Sequence, residues 1–170
     1  MQDTLTDDVL VRPARLEDFS AMRALLRDTF ESTWRPQITE ASARRYIETD
    51  IGGRFVERCG ADMLVAQING EIAGQIHCVD DFVDALHVRS GFQRKGIGRK
   101  LVQRAERDMA AKQVRQARLE TDTFNEQSQS FYKRLGYIEL GRYSVSDPSA
   151  GRCASKLMMS SSFCGARPCS

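Results

Sequence analysis

The stretch DALHVRSGFQRKGIGRKLVQRAERDM, residues 84–109, decides the fold. It begins with a short, mostly apolar strand that ends at Val88 and continues through a loop containing three glycines. From Ile97 onward apolar residues recur at every fourth position, which predicts the buried stripe of a helix. A strand, a glycine loop and a helix in this order can present backbone N–H groups to an anion at the start of the helix.

Two common phosphate-binding patterns do not fit this loop. A Walker A loop needs Lys and then Ser or Thr after its second glycine, where this chain has Ile97 and Gly98. A dinucleotide fingerprint needs a third glycine, where this chain has Leu101. A plain surface turn that caps the helix remains as the alternative interpretation.

The loop sequence Gln93-Arg94-Lys95-Gly96-Ile97-Gly98 resembles Q/R-x-x-G-x-G/A, the pyrophosphate-binding motif of the GNAT superfamily of acyl-CoA-dependent N-acetyltransferases. The stretch from Asn125 to Tyr137 resembles a second pattern of this family, N-x-x-A-x-x-x-Y-x-x-x-G-[FY], with Ser128 in place of Ala. The resemblance covers nearly the whole chain. It is weakest before residue 60 and absent after about residue 160.

The resemblance implies an α/β (α+β) fold of the GNAT type, with a central mixed, mostly antiparallel sheet of about six to seven strands flanked by about four helices. The 170 residues suit one domain with a sizeable core. We therefore expect a single domain over residues 1–160 and a flexible C-terminal tail over residues 161–170.

Local patterns in the first half predict where the elements lie. A strand ends at Pro13, and a helix from about Leu16 is broken by the segment 31–36. Thr39 is a suitable N-cap for a second helix, which we expect to end at the glycine pair 52–53. Asn69-Gly70 favours a type I′ turn between strands 61–68 and 71–79.

In the second half, a strand at 117–120 precedes a helix that Asn125 caps and Gly136 ends. Phe131 and Leu135 are four residues apart and should face the core, with Tyr132 on a different side. Strands 137–145 and 152–159, joined by a turn over 146–151, complete the sheet.

Composition excludes several classes of protein. A net charge of +2 and the lack of any known motif argue against a nucleic-acid partner, although the start of the long helix is locally basic. The N-terminal stretch has no apolar signal sequence, and no apolar run is long enough for a membrane span. The five cysteines form no C-x-x-C pair, and only two histidines exist, so we expect reduced thiols, no metal and a cytoplasmic location.

Acetyl-CoA is the co-substrate that the resemblance implies. Backbone N–H groups from Arg94 to Arg99 would hold its pyrophosphate, and backbone groups of the central strand would pair with the pantetheine arm and the thioester. The residues predicted to bind acetyl-CoA are Leu86, His87, Val88, Gln93, Arg94, Lys95, Gly96, Ile97, Gly98, Arg99, Asn125 and Ser128.

The resemblance also assigns catalytic roles. Tyr132 matches the tyrosine that protonates the leaving thiolate in many members, and a phenol is a suitable donor at neutral pH. Asp84 is the preferred candidate for the base, because it shares a strand face with Leu86. Asp81 and Glu120 are alternatives, and Asp84 could equally bind a cationic substrate or be an ordinary carboxylate at a strand end.

Aromatic and acidic residues indicate the character of the acceptor. Trp34, Phe30 and Tyr46 suggest an aromatic wall, although Trp34 is equally well explained as a core or lid anchor. Asp81 and Asp84 suggest a cationic substrate, and the residues predicted to contact the substrate are Trp34, Phe30, Asp81 and Glu120. The expected partner is a small-molecule or peptide amine, and a homodimer is common in the family. A sensor module that binds acyl-CoA without turnover is the alternative function.

Overall fold

The structure is a computed structural model that describes residues 9–147 and 152–162. Within these residues the chain forms seven strands and five α-helices. The strands are β1 (Leu10–Pro13), β2 (Leu64–Ile68), β3 (Glu71–Val79), β4 (Phe82–Val88), β5 (Gln116–Asp122), β6 (Ile138–Asp147) and β7 (Arg152–Ser162). The helices are α1 (Phe19–Thr29), α2 (Glu40–Glu48), α3 (Ile51–Cys59), α4 (Ile97–Ala111) and α5 (Glu126–Arg134).

The strands form one mixed sheet with the order β1-β2-β3-β4-β5-β7-β6. Antiparallel ladders join β1 to β2, β2 to β3, β5 to β7 and β6 to β7. A parallel ladder joins β4 to β5 and pairs Phe82 with Arg118 and Val83 with Leu119. The predicted fold class, a mixed and mostly antiparallel sheet flanked by helices, is confirmed.

The described residues fall into two compact units, which are treated one at a time. The first unit contains residues 9–78 and 85–105, and the second contains residues 79–84, 106–147 and 152–162.

The core of the first unit lies where α1 and α3 pack on the sheet. Its buried residues are Met22, Leu25, Leu26, Val56, Met63, Val65 and Ile72. The predicted hairpin turn is confirmed, because Asn69 and Gly70 both have positive φ, 49° and 83°. The predicted start of α4 at Ile97 is confirmed as well.

Gly74 of β3 lets α4 approach the sheet closely. A Cβ at this position would lie 2.9 Å from Leu101 Cδ1 and 3.0 Å from Ile97 Cγ2. Both contacts are shorter than ordinary packing distances, so the close contact of α4 with β3 depends on the missing side chain.

The prediction that the second helix ends at the glycine pair 52–53 is wrong. Thr39 does cap α2, accepting a hydrogen bond from the Ser42 N–H, but α2 ends at Glu48. Asp50 then adopts a left-handed conformation and caps α3 through the Gly53 N–H at 3.3 Å. A Cβ on Gly53 would lie 2.2 Å from that carboxylate, so the glycine permits the cap inside the first turn of a new helix.

The predicted break after α1 is also corrected. The helical path continues through a π-helical turn, Phe30–Trp34, and a 3₁₀ turn, Arg35–Gln37. Pro36 is tolerated because it lies in the first turn of the short 3₁₀ segment, where a backbone N–H has no intrahelical partner.

The second unit is built from β5, α5, β6 and β7. Asn125 caps α5 by accepting from the Ser128 N–H at 3.1 Å, and Gly136 follows the helix with a φ of 92°, both as predicted. The predicted inward face of α5 is wrong. Tyr132 and Tyr137 are buried, whereas Phe131 and Leu135 are only half-buried.

The last strand continues beyond its predicted end. β7 reaches Ser162, so the first two residues of the predicted tail pair with β5, through Ala117–Ser161 and Gln116–Ser162. Ser146 and Asp147 belong to β6 rather than to a turn. The rest of the predicted turn, 148–151, and the rest of the tail, 163–170, lie outside the described residues.

Candidate functional site

The segment Gln93–Gly98, here called the glycine loop, follows β4 after a short 3₁₀ turn, Ser90–Phe92, and includes the first two residues of α4. Arg94 and Gly96 both have left-handed backbone conformations, with φ values of 62° and 76°. Left-handed residues in a loop turn neighbouring N–H groups toward one side, where they form a concave anion-binding surface. The first turn of α4 begins inside the loop, because the Lys100 N–H donates to the Gly96 carbonyl at 3.0 Å.

Hydrogen bonds fix the N-terminal side of the glycine loop to its surroundings. The Asp28 carboxylate of α1 accepts from the Ser90 N–H at 2.7 Å and from the Ser90 hydroxyl at 2.8 Å. The Gln93 side-chain amide donates to the Val88 carbonyl at 3.1 Å, which ties the loop to the end of β4. Gln93 therefore has a structural contact here, in addition to the role that its motif predicts.

The side chains of the loop divide by burial. Arg94, Lys95 and Arg99 are exposed, and the Lys95 ammonium lies 5.4 Å from the centre of the Phe92 ring. Ile97 belongs to the core, since only 1% of its surface is exposed. The backbone of the loop and its exposed cations are thus the groups that a ligand could meet.

The central strand presents half-buried Leu86 and Val88, with His87 between them. The His87 Nδ1 atom lies 3.2 Å from the Thr29 hydroxyl of α1. Burial of the imidazole lowers the pKa of His87 to about 4, so the ring is neutral at pH 7. This geometry supports a structural role for His87.

The two aromatic residues predicted to contact the acceptor have different surroundings. Phe30 is 4% exposed and stacks on Tyr46 with the ring centres 4.0 Å apart. Trp34, at the end of the π-helical turn, is half-buried. Of this pair, Trp34 has the side chain with more surface open to a ligand.

In the second unit, Asp81 forms a two-pronged ion pair with Arg118, at 2.7 and 2.9 Å. The guanidinium hydrogen bonds lower the pKa of the Asp81 carboxyl, and Asp81 is therefore ionised and already paired with a cation. Asp84 is exposed on β4. Of the two aspartates, Asp84 is the more accessible candidate for a base.

Glu120 is exposed on β5 and accepts a hydrogen bond from Tyr143 of β6. This bond raises the pKa of Tyr143 to about 12. An open depression beside the pair is lined by Thr123, Arg142, Tyr143 and Ser144. Tyr143 has no local sequence signal, because no pattern shows that the long strand β6 would bring it to Glu120 of β5.

Tyr132 lies within a group of aromatic rings, here called the tyrosine cluster and formed by Phe131, Tyr132 and Tyr137. The Tyr132 ring makes edge-to-face contacts with Phe131 at 5.0 Å and with Tyr137 at 5.3 Å between ring centres. Only 6% of Tyr132 is exposed. The Tyr137 hydroxyl donates to Glu106 Oε1 of α4 at 2.8 Å, and burial followed by the charge of Glu106 raises the pKa of Tyr137.

The predicted site residues are divided between the units. The first contains Phe30, Trp34, Leu86, His87, Val88, Gln93, Arg94, Lys95, Gly96, Ile97, Gly98 and Arg99. The second contains Asp81, Asp84, Glu120, Asn125, Ser128 and Tyr132. Asn125 and Ser128 are joined by the helix cap, so the Asn125 side chain and the Ser128 N–H both serve the start of α5.

Among residues 9–147 and 152–162, no group of three or more His, Cys, Asp or Glu side chains is arranged to hold a metal ion. In the same part of the chain, no helix combines the length and the apolar character needed to cross a bilayer.

Comparisons with known proteins concern the family and the fold. The family model described as the acetyltransferase (GNAT) family matches residues 19–137. A GCN5-related N-acetyltransferase from Rhodopseudomonas palustris has a similar structure, with a TM-score of 0.75 and 20% identity, covering 91% of this chain and 95% of that one.

Two other solved structures share the fold. The PaiA N-acetyltransferase from Thermoplasma acidophilum, in complex with coenzyme A, has a TM-score of 0.70 and 19% identity, covering 91% of this chain and 99% of that chain. A ribosomal-protein-alanine N-acetyltransferase from Brucella melitensis has a TM-score of 0.67 and 21% identity, with the same coverage of 91% and 99%.

Proposed function

Because the chain belongs to the GNAT family of acetyltransferases, we propose that it is a cytoplasmic enzyme that moves an acetyl group from acetyl-CoA to a primary amine. The observation that carries this proposal is the glycine loop, in which Arg94 and Gly96 take left-handed conformations at the start of α4. The solved neighbour that contains coenzyme A supports the choice of ligand.

The glycine loop suits the pyrophosphate of acetyl-CoA. Its backbone N–H groups lie at the N-terminus of the fifteen-residue helix α4, whose dipole attracts an anion. The exposed cations Arg94, Lys95 and Arg99 add positive charge around the loop. The β4–β5 ladder pairs Phe82 and Val83 with residues of β5, and Leu86–Val88 lie further along the same strand. In our proposal the backbone of these three residues holds the pantetheine arm.

Transfer of the acetyl group requires two proton transfers, one from the attacking amine and one to the departing sulfur. The amine nitrogen attacks the thioester carbon, a C–N bond forms, and the C–S bond breaks. We assign to Tyr132 the proton that the departing sulfur receives, because a phenol is protonated at neutral pH. We assign to Asp84 the proton that the amine loses, directly or through water, and keep Glu120 as the second candidate.

The acceptor in this proposal is a cationic small-molecule or peptide amine. The exposed carboxylates Asp84 and Glu120 would attract a cation, and Trp34 would supply an apolar surface. The Brucella melitensis neighbour is described as acting on a ribosomal-protein alanine, which makes a peptide N-terminus one acceptor to test.

The test is incubation with acetyl-CoA and a panel of amines, followed by mass spectrometry. The panel should contain polyamines, amino acids, aminoglycosides and short peptides with a free N-terminus. A product whose mass exceeds that of one of the amines by a single acetyl group supports the proposal. Mass detection is preferable to a thiol reagent, because the five cysteines of the protein would react with the reagent.

A second measurement distinguishes the alternative function. Calorimetry with acetyl-CoA alone reports binding without turnover. Binding at micromolar concentration, with no acetylated product from any amine, would favour a sensor module over an enzyme. Absence of both binding and product would overturn the proposal for the glycine loop as well.

We also propose that the chain forms a homodimer. Among the described strands, β6 lies at the edge of the sheet next to β7, and its residues Ile138 and Leu140 are exposed. An edge strand with exposed apolar side chains can pair with a second copy. Light scattering after size exclusion, on the wild type and on Ile138→Lys, measures the mass directly; a monomer at high concentration would contradict the proposal.

A further inference from the structure

Tyr137 is linked to Tyr132 in two ways. The Tyr137 N–H donates to the Tyr132 carbonyl at 3.0 Å, in the turn that ends α5. The two rings meet edge to face, with an interplanar angle of 63°. The backbone hydrogen bond fixes the position of the Tyr137 backbone relative to α5, and the ring contact places the Tyr137 side chain against the Tyr132 ring.

Glu106 holds the other end of the Tyr137 side chain. The phenol donates to Glu106 Oε1 at 2.8 Å, and the Ser161 hydroxyl of β7 lies 3.4 Å from the same oxygen. Tyr137 is only 2% exposed and Glu106 is half-buried, so the hydrogen bond is shielded from water on the Tyr137 side. The ring is therefore fixed at both ends, by the backbone of α5 and by a carboxylate of α4.

We infer that Tyr137, anchored on Glu106, is a positioning residue that fixes the orientation of the Tyr132 ring; the inference rests on the proposed role of Tyr132 as proton donor. A proton donor must reach the departing sulfur at hydrogen-bond distance and in the right direction. Contacts with the rings of Tyr137 and Phe131 limit the rotation of Tyr132 about its side-chain bonds, and Glu106 keeps the Tyr137 ring in place.

The hydroxyl of Tyr137 is the group that separates a positioning role from simple packing of the ring. The family pattern accepts either Phe or Tyr at this position, so packing alone does not require the hydroxyl. A buried phenol without a partner would be destabilising, and the chain supplies Glu106 as the partner. We therefore assign the hydrogen bond to orientation of the cluster rather than to filling of the core.

NMR spectroscopy tests the orientation without any turnover. The chain has four tyrosines, at 46, 132, 137 and 143, so tyrosine labelled with ¹³C in the ring gives a spectrum that single Phe variants can assign. In Tyr137→Phe the ring contact is kept and the anchor is lost. We expect the Tyr132 ring signals to move or broaden in Tyr137→Phe and in Glu106→Ala, with the Tyr46 signals unchanged.

Kinetics then test the consequence with the amine found in the acceptor panel. Tyr137→Phe and Glu106→Ala should each lower kcat roughly tenfold, a fraction of the hundredfold that a 1 Å misplacement can cost. KM for acetyl-CoA should stay within about twofold, because the glycine loop is unchanged. Glu106→Gln keeps an oxygen that can accept from Tyr137 and should lose at most about threefold. Ser161→Ala removes its contacts to Glu106 and to the Tyr137 hydroxyl but leaves the Tyr137–Glu106 bond in place, so it should lose less kcat than Glu106→Ala.

Two results would overturn the inference. Tyr132 ring signals that are identical in the wild type and in Tyr137→Phe would show that the anchor does not orient the ring. Equal losses in kcat for Glu106→Gln and Glu106→Ala would show that the carboxylate acts in some other way. A Tyr132→Phe variant with full activity would remove Tyr132 from the proposed function, and the NMR spectra alone would then decide whether Tyr137 holds it.

Discussion

The glycine loop and the tyrosine cluster are shaped by different parts of the chain. In the glycine loop, left-handed residues shape the backbone, and the charged side chains lie in solvent. In the tyrosine cluster, the rings are packed together, and one phenol is bonded to a carboxylate. Binding in the loop should depend on backbone conformation, and chemistry in the cluster should depend on the exact side chain.

The largest expected effect comes from removing one oxygen in the cluster. Tyr132→Phe keeps the buried ring and removes the proposed proton donor. We expect kcat to fall about a hundredfold, the lower end of the range for general acid catalysis, with KM for acetyl-CoA nearly unchanged. Initial rates by mass spectrometry measure both constants. An unchanged kcat would show that the Tyr132 hydroxyl is not needed for turnover, and the contrast with the backbone-shaped loop would fail.

A smaller effect is expected from His87, which lies in the strand that leads to the glycine loop. Its folded pKa of about 4 lies below the ordinary value of 6.5, so the unfolded chain binds the proton first as the pH falls. Stability is therefore complete above pH 6.5 and is lost as the pH drops toward 4. We expect a loss of about 2 kcal/mol between pH 7 and pH 5 that is missing in His87→Gln.

Urea unfolding at the two pH values measures this difference. An identical pH dependence in the wild type and in His87→Gln would contradict the prediction.

The glycine loop itself should respond to a single methyl group. Gly96→Ala places a Cβ on a residue with a φ of 76°, which costs about 1–2 kcal/mol for a residue other than glycine. We expect the Kd for acetyl-CoA to rise about tenfold. Gly91→Ala is the control, because a Cβ there meets no atom within 4 Å. Calorimetry should find Gly91→Ala equal to the wild type; equal losses for both variants would argue against a role for left-handed backbone.

The smallest effect is expected from a charge on the same loop. Lys95 is exposed and lies over the Phe92 ring, so Lys95→Ala should change the Kd for acetyl-CoA by at most about threefold, as for other exposed charges. The same calorimetry at two salt concentrations measures it. A tenfold loss that disappears in high salt would show that side chains, and not only backbone, hold the ligand.

The sequence predicted the parts of the fold that depend on local chemistry. Asn125 and Thr39 were recognisable as caps because their side chains accept from an N–H three residues later. The Asn69-Gly70 turn and the start of α4 were predictable for similar reasons. The prediction from the glycine pair 52–53 was wrong because Asp50 adopts a left-handed conformation and starts a new helix there. No nearby sequence pattern indicates that conformation.

The candidate site was predictable only where a motif described it. The loop residues and Tyr132 came from the two family patterns. The partners Tyr137–Glu106 and Glu120–Tyr143 join elements that are distant in sequence, so no local spacing could reveal them. Spacing by four placed Phe131 and Leu135 on the inner face of α5, yet Tyr132 is the buried residue, because Tyr137 folds back against it.

Gly74 has a consequence for any attempt to redesign this protein. The nearest atoms of α4 belong to Leu101 and to Ile97, and Ile97 is also part of the glycine loop. The lack of a side chain at Gly74 therefore sets the distance between the glycine loop and β3. A methyl group added at Gly74 would push α4 away from β3 and move the backbone of the glycine loop without altering any residue of that loop.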